Sequence, residues 1–137
     1  MAGEKALHKL LSNMNPRLNE GLYVFCSFPN PRTDLQKDSI GTFKEQEGIT
    51  YILPQTVADQ HKLTYDFLAS WISLEIHSAL DAVGLTAAFS QALGEAKISC
   101  NVVAGYYHDH IFVGKNDTQK ALKVLRKLSE DATRNRL

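Results

Sequence analysis

The stretch Tyr65-Asp66-Phe67-Leu68-Ala69-Ser70-Trp71-Ile72-Ser73-Leu74-Glu75-Ile76-His77 decides the fold, because it carries the longest strand signal in the chain. Leu68, Ile72, Leu74 and Ile76 fall on one face, and Trp71, Ser73, Glu75 and His77 share the other. That period of two is the pattern of a strand with one face in a core. After a loop, Leu85, Ala88, Phe89, Ala92, Leu93 and Ala96 recur at helical spacing. Residues 98–104 are apolar and β-branched, and Ile111-Phe112-Val113 follows Gly105 and a polar stretch. Asn116, with Gln119 three residues on, reads as the capping box of a last helix. Its buried stripe is Ala121, Val124, Leu125 and Leu128.

Toward the N-terminus, Leu7, Leu10, Leu11 and Met14 form one apolar helical stripe. Asn15-Pro16 ends it, since a residue before proline is pushed out of the α region. Leu22 to Cys26 reads as a strand. Pro29 to about Ile40 reads as an exposed loop, rich in proline and turn formers. Thr42 to Glu45 and Ile49 to Leu53 read as strands around a Glu47-Gly48 turn, and Pro54 opens a short helix through Val57, Ala58 and His61. The order helix, strand, strand, helix thus occurs twice, and Ile49 to Leu53 stands where His110 to Val113 stands, each just before a helix. An α-β-β-α core completed by outer strands is the ferredoxin-like β-α-β-β-α-β plan, an α+β two-layer sandwich. The expectation is a tandem duplication with lobes at 1–64 and 65–137. Each half is one strand short, so strand 65–77 is shared or exchanged between them.

A chain of 137 residues can bury a core of its own without disulfide or metal staples. Fifteen basic residues balance fifteen acidic ones, which leaves no electrostatic footprint for nucleic acid or anionic lipid. No apolar run reaches the length of about 18 residues that a membrane span requires. The first residues lack an apolar leader segment. Cys26 and Cys100 sit in apolar strand-like runs, as buried free thiols of a reducing compartment do, and the expected location is the cytoplasm.

The loop Ser78-Ala79-Leu80-Asp81-Ala82-Val83-Gly84-Leu85 runs from a strand into a helix. Free backbone N–H groups and the helix dipole favour negative charge at such a place. Gly84 permits close backbone approach, and Asp81 can accept from an ammonium group or cap the helix. Asp81-x-x-Gly84, Leu85 and the stripe ending near Gly94 resemble the loop-and-helix signature of the ACT-domain family, with Val83 where the family commonly has proline. Lys97 to Val102 resembles the strand that follows. Gly84 to Leu93 and Cys100 to Val113 look like the stand-alone bacterial proteins with two ACT-like lobes. The resemblance implies a regulatory module without catalysis of its own. It would bind an amino acid or similar metabolite through Asp81, Val83, Gly84 and Leu85, with Asn101 approaching from the neighbouring strand. It further implies a homodimer and no cofactor.

Two other readings stand beside this one. An interaction or oligomerisation module would use the same surfaces without a ligand. In a small metal-dependent enzyme, His108 and His110, on one face of an extended segment, would be joined by His77 or Cys100. Only two of the three or four ligands such a site needs are placed by local spacing. A Cys100–histidine pair could act in nucleophilic catalysis, but a thiol in an apolar strand is more often inert. Trp71, on the strand face away from the helices, is expected either beneath another lobe or subunit or packed under a loop of its own chain.

Overall fold

The computed structural model describes residues 6–76 and 82–134. In chain order the elements are α1 (Leu7–Asn13), β1 (Asn15–Leu18), β2 (Tyr23–Phe28), α2 (Thr33–Gln36), β3 (Gly41–Lys44), β4 (Ile49–Pro54) and α3 (Gln55–Gln60). Then come β5 (Ala69–Glu75), α4 (Leu85–Glu95), β6 (Cys100–Ala104), β7 (Asp109–Gly114), a 3-10 turn (Lys115–Asp117) and α5 (Thr118–Thr133). They sort into two compact units. Glu20–Ser70 forms one; the residues up to Asn19, together with those from Trp71 onward, form the other.

In the split unit the strand order is β1-β5-β7-β6. The antiparallel register sets Asn15 opposite Glu75, Arg17 opposite Ser73, Cys100 opposite Val113 and Val103 opposite His110. Helices α1, α4 and α5 pack on one another, and their apolar stripes meet one sheet face. Leu10, Leu11, Ile72, Leu74, Phe89, Leu93, Ile111, Val113 and Leu125 are buried together there. The residues Trp71 to Thr133 supply β-α-β-β-α, and the place of the fourth strand is filled from the opposite end of the chain by β1. Pro16 is tolerated in β1 because, among the described residues, this short strand pairs on one side alone, with β5, and a missing N–H on the other side is harmless.

The Glu20–Ser70 unit repeats the plan. Strand β4 lies between β3 and β2, and β2 meets β5 at Tyr23 and Ala69. Its core is built on Val24, Cys26, Leu35, Tyr51, Leu53 and Ala58, with Val57, Leu63 and Leu68 around them. Strand β5 contributes Ala69 and Ser70 to this unit and Trp71 onward to the other. The fold is α+β with a ferredoxin-like arrangement, as the sequence pattern implies.

Three local features differ from expectation. Residues 15–18 form a strand rather than a helix terminator alone, because the edge of β5 supplies their partners. The loop after β2 contains the one-turn helix α2, pinned by the fully buried Leu35. Asn116 does not cap α5. It lies in the 3-10 turn, Asp117 occupies the cap position without a side-chain cap bond, and the Thr118 hydroxyl donates to the Lys115 carbonyl at 2.8 Å.

Phe89 has no exposed surface and sits centrally in the split unit's core. Phe89→Ala is expected to lower unfolding stability by about 3–5 kcal/mol, read from a denaturant titration with unchanged slope.

Candidate functional site

Two places in the split unit hold the residues that sequence reasoning singles out. The first is the start of α4. Gly84 takes φ +94°, in the left-handed region, as the residue leading into the helix. A Cβ at this position would also lie 3.2 Å from Leu7 Cδ2 on α1. Backbone geometry thus asks for glycine here whether or not a ligand comes near. The Ala88 N–H bonds to the Gly84 carbonyl at 2.9 Å, so the N–H groups of Leu85, Thr86 and Ala87 precede the first intrahelical bond and point out of the helix start. Val83 is 84% exposed, whereas the Leu85 side chain is in the core and offers only backbone outward. Asp81 and His77 lie outside the described residues.

Asn101 is exposed on β6, opposite Phe112. Paired residues share a face, and Phe112 stacks against Trp71 on the sheet face away from the helices (centroids 6.3 Å apart, planes at 20°). Val83, Gly84 and Leu85 are therefore contiguous at the mouth of α4, whereas the Asn101 side chain belongs to the other face of the sheet.

That face carries the second place, a polar network joining β1, β5 and β7. The Arg17 Nε donates to Glu75 Oε2 at 2.8 Å, and Asn15 donates to Glu75 Oε1 at 3.0 Å. Arg17 also donates to Asn19 Oδ1 at 2.8 Å, and the Asn19 amide donates to Ser73 Oγ at 2.9 Å and to the Trp71 carbonyl at 3.2 Å. Trp71 Nε1 donates to His110 Nδ1 at 3.0 Å, with Ser73 Oγ also 3.0 Å from Nδ1. An indole N–H can only donate, so Nδ1 carries no proton and the Ser73 hydroxyl donates to it as well. His110 is thereby a neutral imidazole with its proton on Nε2. His108 Nδ1 lies 3.2 Å from both the backbone nitrogen and oxygen of Ile76.

The electrostatics follow this geometry. Hydrogen bonding from Arg17 holds the Glu75 carboxyl below the usual range, with Asn15 adding to it. Burial pushes the His110 pKa down and the Asp109 pKa up. Burial also pushes the Cys100 thiol up to about 11 and raises that of Cys26, which disfavours the thiolate form at both. Among the described residues, no three metal-ligating side chains converge. The Nδ1 lone pair of His110 is directed at two protein donors.

Arg17 and Asn19 went unnoticed in the sequence, although Glu75, an acid on a half-buried strand, demanded a cation nearby. The Glu20–Ser70 unit has a corresponding strand-to-helix loop after β2. There Arg32 grips Asp34 through two bonds of 2.9 and 2.7 Å, stacks over Phe28 at 4.7 Å, and helps hold the Asp34 carboxyl at about 2.

Comparison with family models matches ACT domains to residues 2–70 and again to residues 68–127. The chain belongs to the ACT-domain family. Comparison with curated proteins returns no match. Among solved structures, this ACT protein is similar to a Vibrio cholerae protein of unknown function described as a possible transport protein. That pair shares 47% identity at a TM-score of 0.82, over 91% of this chain and 97% of that one. An Agrobacterium tumefaciens protein aligns at TM-score 0.69 and 16% identity, over 85% and 89% of the two chains. The regulatory subunit of aspartate kinase from Thermus thermophilus, in ligand-free form, aligns at TM-score 0.57 and 7% identity, over 82% and 95%. The last two show a shared fold. ACT domains are regulatory modules that bind small molecules, and the duplicated ACT match accounts for the repeat in this sequence. No helix among the described residues is long and apolar enough to cross a membrane.

In the C-terminal ACT repeat, Gly105 gives His110 its room. A Cβ at 105 would fall 2.8 Å from the His108 carbonyl oxygen and 3.1 Å from His110 Nε2. Gly105→Ala is expected to cost roughly 1–3 kcal/mol by overpacking, seen as a lowered midpoint in chemical denaturation with the signal of Trp71 perturbed in the folded state.

Proposed function

We propose that this ACT protein reversibly binds a small amino-acid-like metabolite, without catalysis of its own, at the strand-to-helix loop ending in Gly84. The observation that carries this reading is the opening of α4. A left-handed glycine leads into an eleven-residue helix whose first N–H groups are turned outward, a setting that favours a carboxylate. Asp81, Val83, Gly84 and Leu85 line the site, Leu85 through its backbone, and Asn101, whose side chain lies on the other sheet face, stays outside it. The matching loop of the Glu20–Ser70 unit offers less. It enters a helix of four residues, and its Arg32 and Asp34 neutralise each other.

A thermal-shift screen against amino acids tests the proposal. A ligand present at a hundred times its Kd adds about 2.7 kcal/mol, a rise of several degrees for a chain of this size. The rise is expected to vanish in Gly84→Glu. Any side chain at 84 is strained, so Val83→Glu, at an exposed position, serves as the second variant. An unchanged ligand response in both sinks the site.

Association between copies is a second reading, which the outer edge of β6 supports. Residues 98–107 carry no charge, and Val102, Val103, Tyr106 and Tyr107 are exposed by 37–67%. Beyond β6 the sheet continues no further among the described residues. An uncharged, apolar, unpaired edge is a template for a second strand, and a two-fold copy of β6 supplies one antiparallel. Val103→Lys is expected to convert a dimer to a monomer in light scattering; a wild-type monomer at high concentration removes this reading and leaves ligand binding intact.

A further inference from the structure

The bonding at His110 suits one protonation state only. Trp71 Nε1–H and Ser73 Oγ–H converge on a single Nδ1 lone pair, each at 3.0 Å. A proton on Nδ1 would set three donors facing one another. Ser73 can adapt, because its hydroxyl rotates and its oxygen can accept from the imidazolium while still accepting from Asn19. Trp71 cannot adapt, since its indole nitrogen never accepts. The conflict therefore falls on the tryptophan.

We propose that the Trp71–Ser73–His110 junction is an acid-sensitive latch, in which proton uptake at His110 Nδ1 drives the Trp71 indole out of its present seat beside His110 and Phe112. This goes beyond the metabolite reading and does not rest on it. The charged groups around the imidazole are Arg17 on β1, Glu75 on β5, His108 just before β7 and Asp109 at its start; β6 presents only the uncharged Asn101 and Val103 on this face. Burial, His108 and Arg17 disfavour the imidazolium, and Asp109 alone among the charged neighbours that perturb it favours the cation. Burial raises the pKa of Asp109 itself, so it surrenders charge early as the medium acidifies. The folded chain thus holds the His110 proton less tightly than the unfolded chain does. The stability that the junction contributes is complete above the ordinary histidine value near 6.5 and is lost as pH falls through the lower folded value.

Trp71 is the only tryptophan in the chain, so its emission reports on this junction alone. Emission would be followed from about pH 8 to about 4.5, the range over which a histidine changes charge, with far-UV circular dichroism recorded on the same samples. The wild-type protein is expected to show a reversible change in emission, with a midpoint below the ordinary histidine value and no loss of circular dichroism. His110→Gln retains an acceptor for the indole proton but does not titrate, and is expected to stay flat. Trp71→Phe removes the donor that opposes protonation. Nitrogen–proton spectra of its imidazoles are expected to show the His110 midpoint moved up toward the ordinary value. The proposal is overturned if His110→Gln keeps the wild-type response, if emission changes only as circular dichroism is lost, or if Trp71→Phe leaves the His110 midpoint where it was.

Discussion

The pairing of β1 with β5 is the constraint on which the split unit rests. From Trp71 onward the chain supplies three strands and two long helices, one strand short of a closed ferredoxin-like layer. Without β1, the edge of β5 from Ile72 to Glu75 would expose a row of unpaired backbone groups beside a fully buried Ser73. The N-terminal segment removes that liability in two ways. Its backbone adds four residues of register. Its polar side chains, Asn15, Arg17 and Asn19, satisfy Glu75, Ser73 and the Trp71 carbonyl. Helix α1, which precedes the strand, seals the same attachment on the other face by burying Leu10 and Leu11 among the residues of α4 and α5.

Most of this architecture could be read from periodicity. The alternation across β5 correctly separated Ile72 and Leu74 from Trp71 and Ser73, and the stripes of α4 and α5 named Phe89, Leu93, Ala121 and Leu125 as core. What periodicity missed was short and depended on a partner. Residues 15–18 contain a proline and no alternation, and become a strand only because a distant edge accepts them. Helix α2 is a single turn held by the burial of Leu35, too brief for a helical pattern to register. The capping box at Asn116 failed because a 3-10 turn absorbs residues 115–117, so the helix opens later than its sequence signal. Such signals describe local preference, and tertiary contacts chose otherwise.

The site residues were legible by type more than by place. Gly84 was singled out for ligand approach, and the structure supplies an independent backbone reason for it in a positive φ and the nearness of Leu7. His108 and His110 drew attention as a pair at metal-ligand spacing. In the fold each turns toward β5 and meets a different protein partner. Spacing alone cannot say which hydrogen bonds a ring nitrogen has already made, and a histidine whose lone pair receives an indole N–H has little to give a cation. The residues that shape this network, Arg17 and Asn19, lie more than fifty positions from their partners, beyond the reach of any local pattern.

The duplication gives the two repeats the same plan and unequal chemistry. In the Glu20–Ser70 unit, the strand-to-helix loop closes upon itself: arginine and aspartate form a bidentate pair, and the tyrosine hydroxyl of Tyr51 accepts from the Arg32 backbone. A loop whose charges and donors are already matched has little surplus to spend on a ligand. In the split unit the same connection feeds a helix nearly three times as long, and the polar matching is displaced to the opposite sheet face, onto β1, β5 and β7. Divergence after duplication thus left one loop self-satisfied and the other with outward N–H groups. The N-terminal strand β1, by pairing with β5, supplies the side chains that complete the polar network on the opposite face of the C-terminal repeat.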